Sequence, residues 1–164
     1  MQAYFEKSNY RTMVNSAYSG DYFNFCDENA PVTPENPAKN VTVPFSGSYK
    51  SGFVYDEASK KYIKCTDGKP LADYKTGENY GFTNIIVLFD NIPEMPDREH
   101  VKADLVSGSG YYVSGGGYAE IKWKKGNAAD KIKLYDMDDK DLFINAGKSY
   151  VCLTQNSIKS LVIF

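Results

Sequence analysis

Residues 101–125 read VKADLVSGSGYYVSGGGYAEIKWKK. Val101, Ala103 and Leu105 fall on one side of an extended chain, with Lys102 and Asp104 on the other. Beyond the glycines, Ala119, Ile121 and Trp123 alternate with Tyr118, Glu120, Lys122 and Lys124. A period of two is the signature of a half-buried antiparallel strand, and its inner side here ends on the only tryptophan. The stretch therefore predicts two strands and part of a third, separated by Gly-rich turns at Gly108-Ser109-Gly110 and Gly115-Gly116-Gly117.

The same alternation extends outward. Val41, Val43 and Phe45 alternate with Thr42 and Pro44, and Pro44 calls for an edge because it has no N–H to give to a ladder. Tyr49, Ser51, Phe53 and Tyr55 share a face; residues 56–60 turn, and residues 61–65 return as the partner strand. Asn84 opens IIVLF, an almost wholly apolar run that predicts a central strand covered on both faces. Further strands are expected over residues 131–135, 142–144 and 150–154, and residues 161–164 form a closing apolar run paired into the sheet. About nine or ten short strands with frequent turns predict a mainly β protein, an antiparallel sandwich or small barrel, with one short N-terminal helix over residues 1–8. Residues 1–37 read as that helix plus a Pro-rich connector arm, in which Tyr22, Phe23 and Phe25 pin the arm to the core. Residues 38–164 read as the β domain.

A chain of 164 residues can bury roughly 68–70% of its unfolded surface without staples. The 19 Lys and Arg against 21 Asp and Glu leave a formal charge of −2, so no net positive field exists to gather nucleic acid. Three cysteines, Cys26, Cys65 and Cys152, stand far apart with no CxxC, which excludes a full disulfide framework; three buried free thiols are expected, with one pair plus one free thiol as the alternative. No apolar run approaches the roughly 18 residues of a transmembrane helix. Met1 is followed by QAYFEKSNY, which lacks the character of an export leader, so a leader is expected outside this chain if the protein is exported.

The motifs carry little chemistry. The Gly-rich runs resemble phosphate loops, but Val113 and Glu120 occupy the positions where the dinucleotide pattern needs its third glycine, and neither run opens a helix. Asp136 to Asp141, DMDDKD, departs from a calcium loop at Lys140, Asp141 and Gly147, and reads as an acidic turn. His100, the only histidine, would need Asp97 and a distant cysteine to form a nucleophilic device. A zinc site lacks closely spaced ligands. No metal and no cofactor are expected. Lys124, Lys125, Lys131 and Lys133 cluster beyond Trp123, either as a solvated strand face or as a seat for an anionic ligand.

From Ala38 onward the order of motifs resembles a known family. The segments AKNVTVPFSGSYKSGFVYDEASKKYIK, DGKP, TGE and NIIVLF, then VSGSGYYVSGGGYAEIKWKK and KLYDMDDKDLFINAGKSYV, look like the C-terminal domain of the YerB-like lipoproteins, a bacterial family without assigned chemistry. Lys64 stands where that family usually has Arg, Tyr150 replaces its closing Trp, and Asp139-Lys140 replace a Gly-Glu turn. The resemblance implies a lipid-anchored protein on the extracellular face of the cell membrane, with anchor and N-terminal domain outside this chain. The first expectation is a monomeric, non-catalytic envelope module that binds a protein partner or cell-wall component. Tyr62, Lys64, Asn84, Trp123 and Lys125 are its ligand-binding candidates, because each matches or replaces a family motif position. Two readings stay open beside it: an envelope hydrolase using carboxylates, and a purely structural domain packed on an absent N-terminal one.

Overall fold

The computed structural model describes residues 22–127 and 129–164. The expected helix over residues 1–8 lies outside them. Strand β8, Asn84–Asp90, is the axis of the molecule, and all seven of its residues are buried. A strand buried on both faces must have both edges paired, since no water can satisfy its peptide groups. On one edge runs β9, Ser107–Ser114, antiparallel; on the other runs β13, Ser149–Gln155, parallel. Strand β10, Gly117–Lys124, continues the sheet beyond β9. The outer edge of β10 is shared by β2, Asn36–Pro37, and β11, Lys133–Tyr135.

A second sheet covers one face of this central one. It contains β3, Asn40–Pro44; β4, Lys50–Asp56; and β5, Lys61–Thr66, with β6, Lys69–Pro70, and β7, Gly81–Phe82, sharing the far edge of β5. Val41, Val43, Phe53 and Tyr62 from this sheet pack against Ile85, Val87, Phe89, Val113 and Cys152. Pro44 sits in the edge strand its chemistry requires, and its carbonyl accepts the Thr154 hydroxyl at 3.0 Å, tying the two sheets together. A short 3-10 helix, Asn156–Leu161, leads into the last residues. There Phe164 stacks on Tyr118 at 3.7 Å, and Ile163 exchanges two backbone hydrogen bonds with Thr42. The closing apolar run is thus fastened to both sheets.

The other face of the central sheet is covered by connections. Ile86, Leu88, Tyr112, Ile121, Trp123, Leu134 and Ile144 form a second core, flanked by Phe23, Leu105, Ile132, Leu142 and Leu153. Strand β1, Asn24–Phe25, pairs in parallel with β12, Phe143–Ile144, to close this layer. Of the three arm aromatics only Phe23 reaches the core, whereas Tyr22 and Phe25 are 48% and 36% exposed.

Three expectations change. The sheets do not close, so the barrel alternative falls; among the described residues the fold is mainly β with thirteen strands in three sheets. It is also not wholly antiparallel, because β13 returns beside β8 after a long crossover. Residues 102–106 are irregular rather than a strand, and Gly108 and Gly110 lie inside β9 rather than in a turn. Both glycines are close-approach positions, Gly108 to Trp123, whose indole crosses β9 to donate Nε1–H to Phe89 O at 3.2 Å and Ser109 O at 3.1 Å, and Gly110 to the backbone of β8. A Cβ on Gly108 would stand 2.7 Å from that nitrogen, and one on Gly110 would stand 2.2 Å from Val87 O. The true turn is Gly115-Gly116, with φ of 61° and 86°, the left-handed backbone of a two-residue hairpin.

Gly110→Ala is expected to cost on the order of 3 kcal/mol or more in chemical denaturation, because the obstructing atom is backbone of the central strand. Gly47→Ala, where an added Cβ meets nothing within 4 Å, should change stability by less than about 0.5 kcal/mol.

Candidate functional site

At one end of the sheets a groove of about 600 Å³ opens where five chain segments meet. The arm contributes Cys26, Asp27, Glu28, Pro31 and Thr33; the β4–β5 hairpin contributes Tyr55 and Lys60. Thr83 comes from the approach to β8, Ser114 and Gly115 from the β9–β10 turn, and residues 145–147 from the turn before β13.

The floor is a closed hydrogen-bond network centred on Asn145. Its Oδ1 accepts Val32 N–H at 2.7 Å and the Cys26 thiol at 3.1 Å. Its Nδ2 donates to Val32 O at 2.7 Å and Ser114 Oγ at 2.8 Å. Its side-chain amide therefore pairs with the arm backbone as a neighbouring strand would. Its backbone N–H donates to the Tyr112 hydroxyl at 2.9 Å, which in turn donates to Asn84 Oδ1 at 3.0 Å. Asn84 Nδ2 closes the loop by donating to Asn145 O at 2.8 Å and to Ser149 Oγ at 3.1 Å. Ser114 donates to Thr83 O at 2.9 Å. Burial holds the Tyr112 phenol above its ordinary range, so it remains a donor across the physiological range. Among the described residues no buried side-chain nitrogen or oxygen lacks a partner.

The five sequence candidates lie in different places. Tyr62 is fully buried, donates to Ala38 O at 2.9 Å, and its phenol is pushed well up by burial. Trp123 is fully buried and paired as described above. Asn84 is buried too, but it is the one of the five that joins the groove floor. Lys64 points between the two sheets, its Nζ 2.9 Å from Ser51 Oγ, 4.8 Å from the Phe53 ring centroid and 4.5 Å from that of Tyr150. The Lys64 ammonium stacks on two rings, a cation–π contact that needs no bidentate partner. Lys125 lies just beyond β10, donates to Asn127 O at 2.7 Å, and lines a separate basic hollow with Lys124, Lys131 and Lys133.

The reactive groups are dispersed. His100 Nδ1 lies 2.8 Å from Asp97 Oδ2 on an exposed loop, while Cys65 and Cys152 are buried in the sheets. Burial pushes the Cys152 thiol up to about 12, against the opposing pull of the Lys64 ammonium. All three cysteines are free thiols, Cys26 being half-buried. Asp136 Oδ1 is engaged by the N–H groups of Asp138 and Lys140, and Asp139 pairs with Lys122 at 2.9 Å. Among the described residues no three metal-ligating side chains converge. The carboxyls displaced from their ordinary range, Asp56, Glu57, Asp73, Asp97 and Asp139, are all held low, chiefly by hydrogen bonds from Ser59, Lys39, Thr76, the Glu99 N–H and Lys122 in turn. A general acid needs the opposite displacement.

Together the stacked sheets, the looped third layer and the end groove define an open β module built around one doubly covered sheet. The chain belongs to the family described as protein of unknown function (DUF3048), C-terminal domain, whose model matches residues 41–151. The crystal structure of the YerB protein from Bacillus subtilis is similar in fold, with a TM-score of 0.69 at 20% identity. The match covers 93% of this chain and 49% of that one, so the present chain spans about half the length of that relative. No curated protein matches the sequence.

The network makes Asn145 the fastener of the arm. Asn145→Leu would remove the bond to the Ser114 hydroxyl, both bonds to the Val32 peptide groups and that from the Cys26 thiol, at roughly 0.5–1.5 kcal/mol for each bond lost. We expect a stability loss on the order of 3 kcal/mol and earlier protease cleavage within residues 26–33. Asn36→Ala, which removes one exposed bond to Tyr118 O, should leave both measurements nearly unchanged.

Proposed function

We propose that this chain is a non-catalytic module of a bacterial cell-envelope protein and that it binds a cell-wall component in the end groove. The single observation that carries the reading is the groove itself: a concavity of about 600 Å³ whose shape is fixed by a fully paired polar floor. Ligand sites are of this size and largely preformed, because ordering a loose site on binding costs affinity. The downward displacement of the five carboxyls and the dispersal of His100 from the thiols favour binding over hydrolysis. The family resemblance supports a position on the extracellular face, tethered through a lipid anchor outside this chain.

In this reading Tyr62, Asn84 and Trp123 serve by holding the frame, and Lys64 serves by bridging the sheets. Contact with ligand passes to the groove residues. Purified chain mixed with isolated cell-wall sacculi should co-sediment saturably. Ala146→Trp, a substitution on a half-buried turn residue of the groove wall, should reduce retention at least about tenfold while leaving the melting curve in place. Absence of retention, or retention indifferent to Ala146→Trp, would contradict the proposal.

A further inference from the structure

Resting on the groove reading above, we infer that the groove recognises a short peptide or amino-acid fragment carrying both a free amine and a free carboxylate, rather than a neutral sugar. The elimination starts at the floor. Asn145 spends its side-chain oxygen on Val32 and Cys26 and its nitrogen on Val32 and Ser114, and Ser114 spends its proton on Thr83. These are most of the neutral amides and hydroxyls with which a sugar site would read hydroxyl groups, and here they already hold the fold; the Thr33 and Thr83 hydroxyls of the lining remain.

An aromatic platform is the other requirement for a sugar, and Tyr55 is the aromatic residue of the lining. Its ring packs against Tyr62 at 5.0 Å between centroids and lies over Gly116, where an added Cβ would stand 3.1 Å from the ring. One side of Tyr55 is therefore occupied by protein.

The charged rim remains. Lys60 stands on the β4–β5 hairpin, held at φ 56°, and Asp27 and Glu28 stand on the arm, Asp27 with its Oδ1 engaged by Asn29 N–H at 2.8 Å and Nδ2 at 3.2 Å and its Oδ2 left over among the described residues. Among the described residues Lys60 forms no ion pair with either acid, and its neighbour Glu57 is taken by Lys39. Charges of opposite sign brought by two different segments to one concavity, and left unneutralised by each other, match a ligand with charges of opposite sign. A charged hydrogen bond is roughly twice as strong as a neutral one, so this rim outweighs what the two threonine hydroxyls can offer.

The test is a titration of the isotope-labelled full chain, followed by backbone amide shifts at Gly115, Ala146 and Gly147. The probes are the dipeptide Ala-Ala, its N-acetyl form, its C-terminal amide, and the neutral disaccharide chitobiose. Ala-Ala should shift these amides, and each blocked form should bind about tenfold more weakly. Lys60→Asn, which tolerates the left-handed backbone, should weaken Ala-Ala to the level of the amidated form and leave the amidated form unchanged. Glu28→Gln combined with Asp27→Asn should do the same relative to the N-acetyl form. Equal binding by the blocked forms, binding of chitobiose in their place, or no response to any probe would overturn the inference. If sacculus retention still depends on Ala146 in that case, the groove reading stands without it; if retention fails as well, both fall.

Discussion

A strand with no solvent on either face constrains everything around it. β8 runs through the middle of the molecule with Asn84 and Asp90 as its polar ends, and both ends are buried. Each must therefore be answered by neighbouring chain. Asp90 accepts the N–H of Asn91 at 2.9 Å and of Leu105 at 2.9 Å, which fixes the loop leading to β9. Asn84 joins Tyr112, Ser149 and the Asn145 carbonyl, which fixes the turn leading to β13. The groove is thus a by-product of satisfying one end of a buried strand: the network that closes Asn84 also holds the arm that forms its wall.

The central sheet is asymmetric in how it is covered. One face meets a regular second sheet, and Phe164 and Tyr118 extend that cover beyond its edge. The other face is covered by connections that have little regular structure of their own, pinned by Phe23, Leu105, Ile132 and Leu142. Trp123 supplies the largest fully buried side chain in that layer. Its indole N–H needs an acceptor once buried, and the nearest are carbonyls on β8 and β9. Glycine at 108 makes that approach possible and glycine at 110 clears the Val87 carbonyl of β8, so a residue pair that looks like a turn is part of the packing of the central sheet.

Where local chemistry dominates, the sequence was legible. The apolar run after Asn84, the alternation of residues 117–124, the edge preference of Pro44 and the hairpin of residues 50–66 are all found as read. The family resemblance, carried by the order of short motifs, holds across its span. Less was visible where the deciding partner lies far along the chain. Nothing local distinguishes a parallel β13, because its register is set by β8 some 65 residues earlier, as in Ser149 opposite Asn84. The glycines of β9 misled because the groups they make room for, Trp123 at Gly108 and the Val87 carbonyl at Gly110, belong to other strands. Asn145 lies in NAGK between β12 and β13, and the sequence does not single it out. The only local hint was a polar side chain directly after a strand whose last residue, Ile144, is fully buried. The groove residues Tyr55, Lys60 and Asp27 carry no motif at all; they are brought together by topology.

Native-state hydrogen exchange tests the central claim most directly. If a doubly covered β8 organises the molecule, the amides of residues 85–89 exchange only through global unfolding and follow denaturant with the full unfolding slope. The amides of the 50–66 hairpin, covered on one side, then open at lower free energy. Exchange of residues 85–89 through local opening, ahead of that hairpin, would contradict the account.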